Sequence, residues 1–220
     1  PDDLNVARVV MNPSFISRSA FPTHFLRQNG FKAIGSKDVV IKPERWTKKK
    51  PVDLTPTTEL FILGSKDAFL SLPEWLSTVD AESNSAKDFS HFEDFGAFEA
   101  AQKIQPTVEG YTGSFFEVGL HTPAEISKKI IRKFIEYAKE AGAIVHEQYA
   151  ISVGGLWFVP VETDKEHLEY LAKFTLVRLI RPVSFLRDII PMRRGTSMGI
   201  KCELPVLPPL STEPRVAILD

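Results

Sequence analysis

The chain has 220 residues, with 27 Lys+Arg against 28 Asp+Glu, a net charge of −1 and 43% apolar residues. This is an ordinary globular composition, long enough for one large domain or two small ones. The balanced charge supplies no field that would favour nucleic acid or a membrane surface, and no apolar run approaches the roughly 18 residues that span a bilayer.

One cysteine, Cys202, excludes an internal disulfide framework and fits a reducing, cytoplasmic setting. No basic stretch followed by an apolar one marks a signal peptide at the amino terminus.

In chain order, Val6 to Met11 reads as a strand. Phe21 to Asn29 reads as a short helix, with Gly30 as its C′ residue. Phe31 to Lys42 is β-rich and broken at Gly35, and Pro43 to Thr58 is a polar, proline-rich loop. Glu59 to Leu63 is a strand, followed by a helix from Ser65 to Val79 that is interrupted near Pro73. Between Asp80 and Gly113 the spacing of Phe89, Phe92, Phe95 and Phe98 predicts a helix with one apolar stripe. Glu109 to Gly113 is a connector.

Phe115 to Leu120 is the next strand. Thr122-Pro-Ala-Glu125 reads as a capping box with proline at the first helical position. The helix it opens has an apolar face of Ile126, Ile130, Ile131, Phe134, Ile135 and Ala138 and is closed by Gly142. Ala150 to Val161 is a β segment with a bulge or bend at Gly154-Gly155. Thr163-Asp-Lys-Glu166 is a second capping box, whose helix carries Leu168, Leu171, Ala172 and Phe174. Thr175 to Ile180 is the last clear strand. From Pro182 to Pro214 six prolines mark a linker, and Pro214-Arg-Val-Ala-Ile-Leu-Asp220 is an apolar strand ending on a carboxylate.

The two halves repeat one plan, because Glu59 to Leu76 echoes Gly155 to Phe174: strand, polar turn, amphipathic helix. The β-α-β-β-α-β order of the second half is ferredoxin-like. The expected class is therefore α+β, with an antiparallel sheet and helices on one face, duplicated along the chain. The expected boundaries are 1–110 for a first α+β subdomain, 114–182 for a ferredoxin-like one, 183–213 for the linker and 214–220 for the start of another domain.

Candidate chemistry is sparse. His24, His91, His121, His146 and His167 have no metal-ligand spacing with one another or with Cys202, and read as surface or helix-terminus residues. No metal or cofactor is expected. No serine lies in a G-x-S-x-G elbow, and Gly154-Gly155 lacks the helix start of a phosphate loop. Trp46, Trp75 and Trp157 read as packing residues. Arg178, Arg181, Arg187, Arg193 and Arg194 form the one local charge cluster, interleaved with apolar residues. It reads either as a docking surface for a carboxylate-rich partner or another domain of the same protein, or as a solvated strand edge and linker. Arg178, between Val177 and Leu179, is expected to point away from the core.

Pro214 to Asp220 resembles the strand that delivers the catalytic aspartate in subtilisin-like serine proteases. Phe15 to Lys42, Gly154 to Pro160 and Phe174 to Arg187 are similar to the amino-terminal region of a bacterial group of large intracellular subtilases. Genes for that group lie beside one for an AAA-type ATPase, and the pair is linked to plasmid incompatibility and phage defence. The resemblance implies that Asp220 is the first member of an Asp-His-Ser triad whose histidine and serine are absent from this chain, so these residues perform no proteolysis. It also implies a prodomain-like role for residues 114 to 182. The implied partners are the chain's own protease domain, a protein substrate and the ATPase. The alternative is a self-contained ferredoxin-like module that binds a ligand or another protein.

Overall fold

Strand β1, Leu4–Met11, divides its side chains between two destinations. Ala7, Val9 and Met11 join one apolar cluster, and Val6 joins another on the opposite face. Strand β3, Thr55–Ser65, does the same, with Leu60 and Ile62 on one side and Phe61 and Leu63 on the other. A strand covered on both faces needs a continuous apolar run rather than an alternating one, and Leu60 to Leu63 supplies it.

The computed structural model describes residues 3–44 and 53–183. In the first repeat the chain passes from β1 through helix α1 (Thr23–Gln28) to β2 (Lys32–Ile41) and β3. It continues through α2 (Lys66–Leu70), α3 (Leu72–Thr78) and α4 (Asn84–Ser90) to β4 (Phe92–Ala97). A connector carries α5 (Ala100–Lys103). The second repeat runs β5 (Phe115–His121), α6 (Ser127–Glu140), β6 (Ile144–Val145), β7 (Ile151–Val153), β8 (Leu156–Glu162), α7 (Lys165–Lys173) and β9 (Val177–Pro182).

Both sheets are antiparallel and share one strand order. The first is β2-β3-β1-β4 and the second β6-β8-β5-β9, with β7 also paired to β8. Each is the β-α-β-β-α-β order closed as second, third, first, fourth, so the fold is α+β with a duplicated ferredoxin-like sheet. The first helix of each repeat also ends alike. Gly30 and Gly142 have φ of 68° and 75°. Behind them Phe31 N–H donates to Leu26 O at 2.8 Å and Ala143 N–H to Ala138 O at 3.0 Å. Both are Schellman ends, which require a left-handed residue that glycine adopts without strain.

Three sequence expectations are corrected. Phe92 and Phe95 belong to strand β4, not to an aromatic helix. The register slips between Val10 and Met11, pairing Val9 with Phe95 and Met11 with Phe92. That bulge puts two residues three apart on one face of a strand, mimicking helical spacing, and both rings reach the same core. The capping boxes do not form either. Thr122 hydrogen-bonds Gly155 O through its N–H at 2.7 Å and its hydroxyl at 3.3 Å, so α6 starts only at Ser127. The second helix is entered from Asp164, one residue after Thr163. Finally, Gly154 and Gly155, with φ of 57° and 79°, form the two-residue turn of the β7–β8 hairpin.

One cap comes from afar. Helix α1 follows Pro22, which has no capping side chain, and Asp88 of α4 accepts from His24 N–H at 2.7 Å and Phe25 N–H at 3.1 Å instead.

Contacts gather the described residues, with both sheets, into one unit. Residues from 184 onward, with nearly all of the expected linker and the whole terminal strand, lie outside the described residues.

Packing is tight at Gly64 of β3, where Phe31 and, from α2, Phe69 close over the strand. A Cβ there would lie 2.5 Å from Cδ1 of Phe31 and 3.2 Å from Cε2 of Phe69. Gly64→Ala should therefore cost about 1–3 kcal/mol by overpacking. A thermal melt indistinguishable from that of the parent would refute this.

Candidate functional site

The first sheet buries its second face against the second repeat. Val6, Phe61, Leu63 and Phe98 meet Ile130 of α6 and Leu176 before β9, with Ile126 and Phe174 at the margin. Along this seam the sequence places several polar groups, and their partners explain how they are tolerated.

Glu59 on β3 is 5% exposed. Lys37 Nζ lies 2.6 Å from its Oε2 and Arg8 Nη1 3.5 Å from its Oε1, while Arg8 Nη2 also reaches Asp94 at 2.5 Å. The charges thus alternate in sign across the four strands, which compensates a buried carboxylate that would otherwise be costly.

His121, the last residue of β5, is fully buried, contrary to the expected surface position. Its ring packs against Phe61 at 5.2 Å between centroids, and neither ring nitrogen has a hydrogen-bond partner. Burial, aided by the nearby Arg178 guanidinium, holds the imidazole pKa down at about 3; the Ile34 carbonyl pulls the other way and the Lys103 ammonium adds a smaller push.

Arg178 crosses the seam. It donates to Ser36 O at 2.7 Å and stacks its guanidinium 4.7 Å from the centre of the Phe61 ring. Its direction follows from a bulge: Gly119 pairs with Leu179 but Leu120 with Val177, leaving Arg178 unpaired on the strand. Arg181 turns elsewhere and donates through Nε to Glu117 Oε2 at 2.5 Å on the neighbouring strand. The structure thus does not bring these two arginines together. Arg187, Arg193, Arg194 and Asp220 lie outside the described residues.

Lys103 of α5 is 3% exposed and donates to three carbonyls: Ala172 at 2.9 Å, Phe174 at 3.1 Å and Thr175 at 3.4 Å. Ala172 is in the last turn of α7 and Phe174 and Thr175 follow its end, so Lys103 ties the α7–β9 turn to the connector; Phe174 O also accepts from Val177 N–H at 3.0 Å. Its ammonium also lies 5.5 Å from the Phe98 ring centre. Burial pushes its pKa down to about 8, against a smaller upward pull from Glu99.

Beside Lys103 a cleft of about 450 Å³ opens where β1, the end of β4 and the α7–β9 turn converge. Phe69, Leu72, Phe95 and Phe98 make its apolar walls, and Lys103 and Lys173 supply the charge. Pairing between β1 and β4 stops at Ala7–Ala97, so the β1 edge at Asn5 and Val6 faces this cleft without a strand beside it. A second hollow of about 360 Å³ shares Asn5, Lys173 and Thr175 with it and continues along α6 past Tyr137. Sequence reading missed the cleft, because its parts come from four separate segments. The one available signal is Lys103, the helical lysine between Ala100-Ala-Gln and Ile104.

Among the described residues no group of three or more His, Cys, Asp or Glu side chains could hold a metal ion. No described helix is long and apolar enough to cross a membrane.

No family model matches the chain, and no curated protein does. Among solved structures, the ligand-free regulatory subunit of aspartate kinase from Thermus thermophilus is similar at 10% identity. That match covers 79% of this chain and 90% of the other, with a TM-score of 0.28. The regulatory subunit of aspartate kinase from Thermus flavus is similar at 11% identity, with the same coverage and a TM-score of 0.23.

Proposed function

We propose that residues 3–183 form a ligand-binding control module built from two fused ferredoxin-like repeats, with recognition rather than catalysis as its task. The observation that carries this reading is the cleft at the junction of both repeats and the connector. It has about 450 Å³ of space, apolar walls and lysine charge, within the size and character of small-ligand sites. A ligand there touches β1 and β4 of one repeat and the α7–β9 turn of the other, so its binding energy can bias how the repeats pack.

The test is thermal unfolding in a metabolite panel of carboxylates, phosphates, nucleotides and sugars. A ligand at about a hundred times its Kd stabilises by about 2.7 kcal/mol, which raises the melting temperature by about 5–10 °C in a domain of this size. If no compound in the panel moves the transition, the module reading fails.

A second reading makes the same unit the prodomain-like region of a subtilisin-like serine protease. It is supported by the ferredoxin-like order of Phe115 to Pro182, the span in which the sequence resemblance calls for a prodomain, and by the Pro214–Asp220 sequence that follows. On this reading the partners are the chain's own protease domain, a protein substrate and an AAA-type ATPase, and the setting is cytoplasmic. Its test is to add this chain to a separately produced protease domain encoded downstream. Inhibition or an increased refolding yield is expected; an unchanged rate and yield, or a downstream sequence without His-Gly-Thr and Gly-Thr-Ser-x-Ala stretches, rejects it.

A further inference from the structure

We infer that the cleft beside Lys103 takes a small monocarboxylic acid with an apolar body, its carboxylate at Lys173 and its hydrocarbon against Phe69, Leu72, Phe95 and Phe98. The inference rests on the module reading above and specifies the ligand chemistry.

Charge gives the sign. Lys103 and Lys173 line the cleft and no carboxylate does; Glu99 acts on Lys103 from outside the lining. Hydrogen-bond capacity gives the valence. Lys103 already directs its ammonium to three main-chain carbonyls, which exhausts its three protons. It therefore contributes field but no new hydrogen bond. Among the described residues Lys173 pairs with Glu169, one turn away at 3.6 Å with both side chains well exposed, an arrangement worth little and readily exchanged; Glu136 and Glu140 line the adjoining hollow, not this cleft. One available donor cation suits a single carboxylate better than a doubly charged phosphate, which draws on several donors. The four apolar walls give the rest of the molecule its place, and Asn5 and Thr175 add uncharged polar groups at the rim.

The structure also indicates how to close the site without unfolding the protein. Gly96 lines the cleft, and a Cβ there would meet nothing within 4 Å. Gly96→Val fills space that no protein atom uses. Lys173→Met removes an exposed charge.

The experiment is isothermal titration of the full chain with 4-methylpentanoate and phenylacetate. Benzyl alcohol serves as the uncharged control and phenyl phosphate as the dianion. Both acids should bind, the alcohol should not, and the phosphate should bind more weakly than phenylacetate. Lys173→Met should weaken the acids about tenfold, the loss of one charge-assisted hydrogen bond. Gly96→Val should weaken them at least as much, with both variants melting like the parent. No heat with either acid, or binding that neither variant alters, overturns the inference. If the acids fail while another compound of the panel stabilises the chain, the carboxylate site is wrong and the module reading stands. If nothing binds, the module reading falls as well.

Discussion

Acidifying the protein from neutral pH should destabilise it steeply through His121. The unfolded imidazole has its ordinary pKa of 6.5, and burial holds the folded one at about 3. Between those values the unfolded chain binds a proton that the folded chain refuses. Stability from this group is therefore complete above about pH 6.5 and is lost as pH falls towards 3, at about 1.4 kcal/mol per unit. The full loss is up to about 5 kcal/mol, a large share of the stability of an ordinary domain. The groups facing the ring agree with that sign: Arg178 and Lys103 are cationic, Phe61 is apolar, and only the Ile34 carbonyl favours a protonated ring. His121→Leu should flatten the acid limb of stability measured by urea denaturation. It should leave stability at neutral pH unchanged or raised, because two orphaned ring nitrogens disappear with the imidazole. Equal acid sensitivity in the variant and the parent would refute the assignment, whatever the carboxylates and other histidines contribute to both.

His121 also shows where sequence reading stops. Strand β5 was legible because Phe116, Val118 and Leu120 alternate towards their own core. The residue after them is hidden by another element, β3 of the first repeat, whose Phe61 covers it. The local sequence around His121 does not encode that contact, which comes from a residue 60 positions earlier. Glu59 and Lys103 are hidden by the same kind of remote packing. The repeat itself was legible through the apolar strand, polar turn and amphipathic helix that Glu59 to Leu76 and Gly155 to Phe174 share. Its last member in the first half was missed, because the bulge opposite Val10 lets Phe92 and Phe95 share a face at helix-like spacing. The first capping box failed for a related reason: Thr122 has the right type and position, but its N–H, which Glu125 would have to accept, already donates to Gly155 O at the strand end. Local patterns thus identified the elements, while the seam and the cleft depend on contacts between segments far apart in the chain.

The second large effect is expected at Lys103. Lys103→Met keeps the stem of the side chain and removes the ammonium from the Ala172, Phe174 and Thr175 carbonyls. The carbonyls lie at the end of α7 and in the turn after it, in a region that Phe98 and the seam shield from water. Phe174 O keeps the Val177 N–H, but Ala172 and Thr175 lose the ammonium, so the change should cost about 2–4 kcal/mol. For a domain of this size that is a fall of about 5–15 °C in melting temperature. Lys173→Met nearby should leave the melting temperature almost unchanged, since its charge is already exposed. The pH dependence carries a further signature. The folded pKa of about 8 lies below the ordinary 10.5, so between them the unfolded chain holds the proton more tightly. This group's contribution to stability is therefore lowest below about pH 8 and rises as pH climbs to 10.5; Lys103→Met should abolish that rise. Over the same range the cleft loses one of its two positive charges, so affinity for a carboxylate should weaken above about pH 8. A Lys103→Met protein that melts with the parent would show that the three carbonyls find water or another donor, and that the connector does not clamp the two repeats.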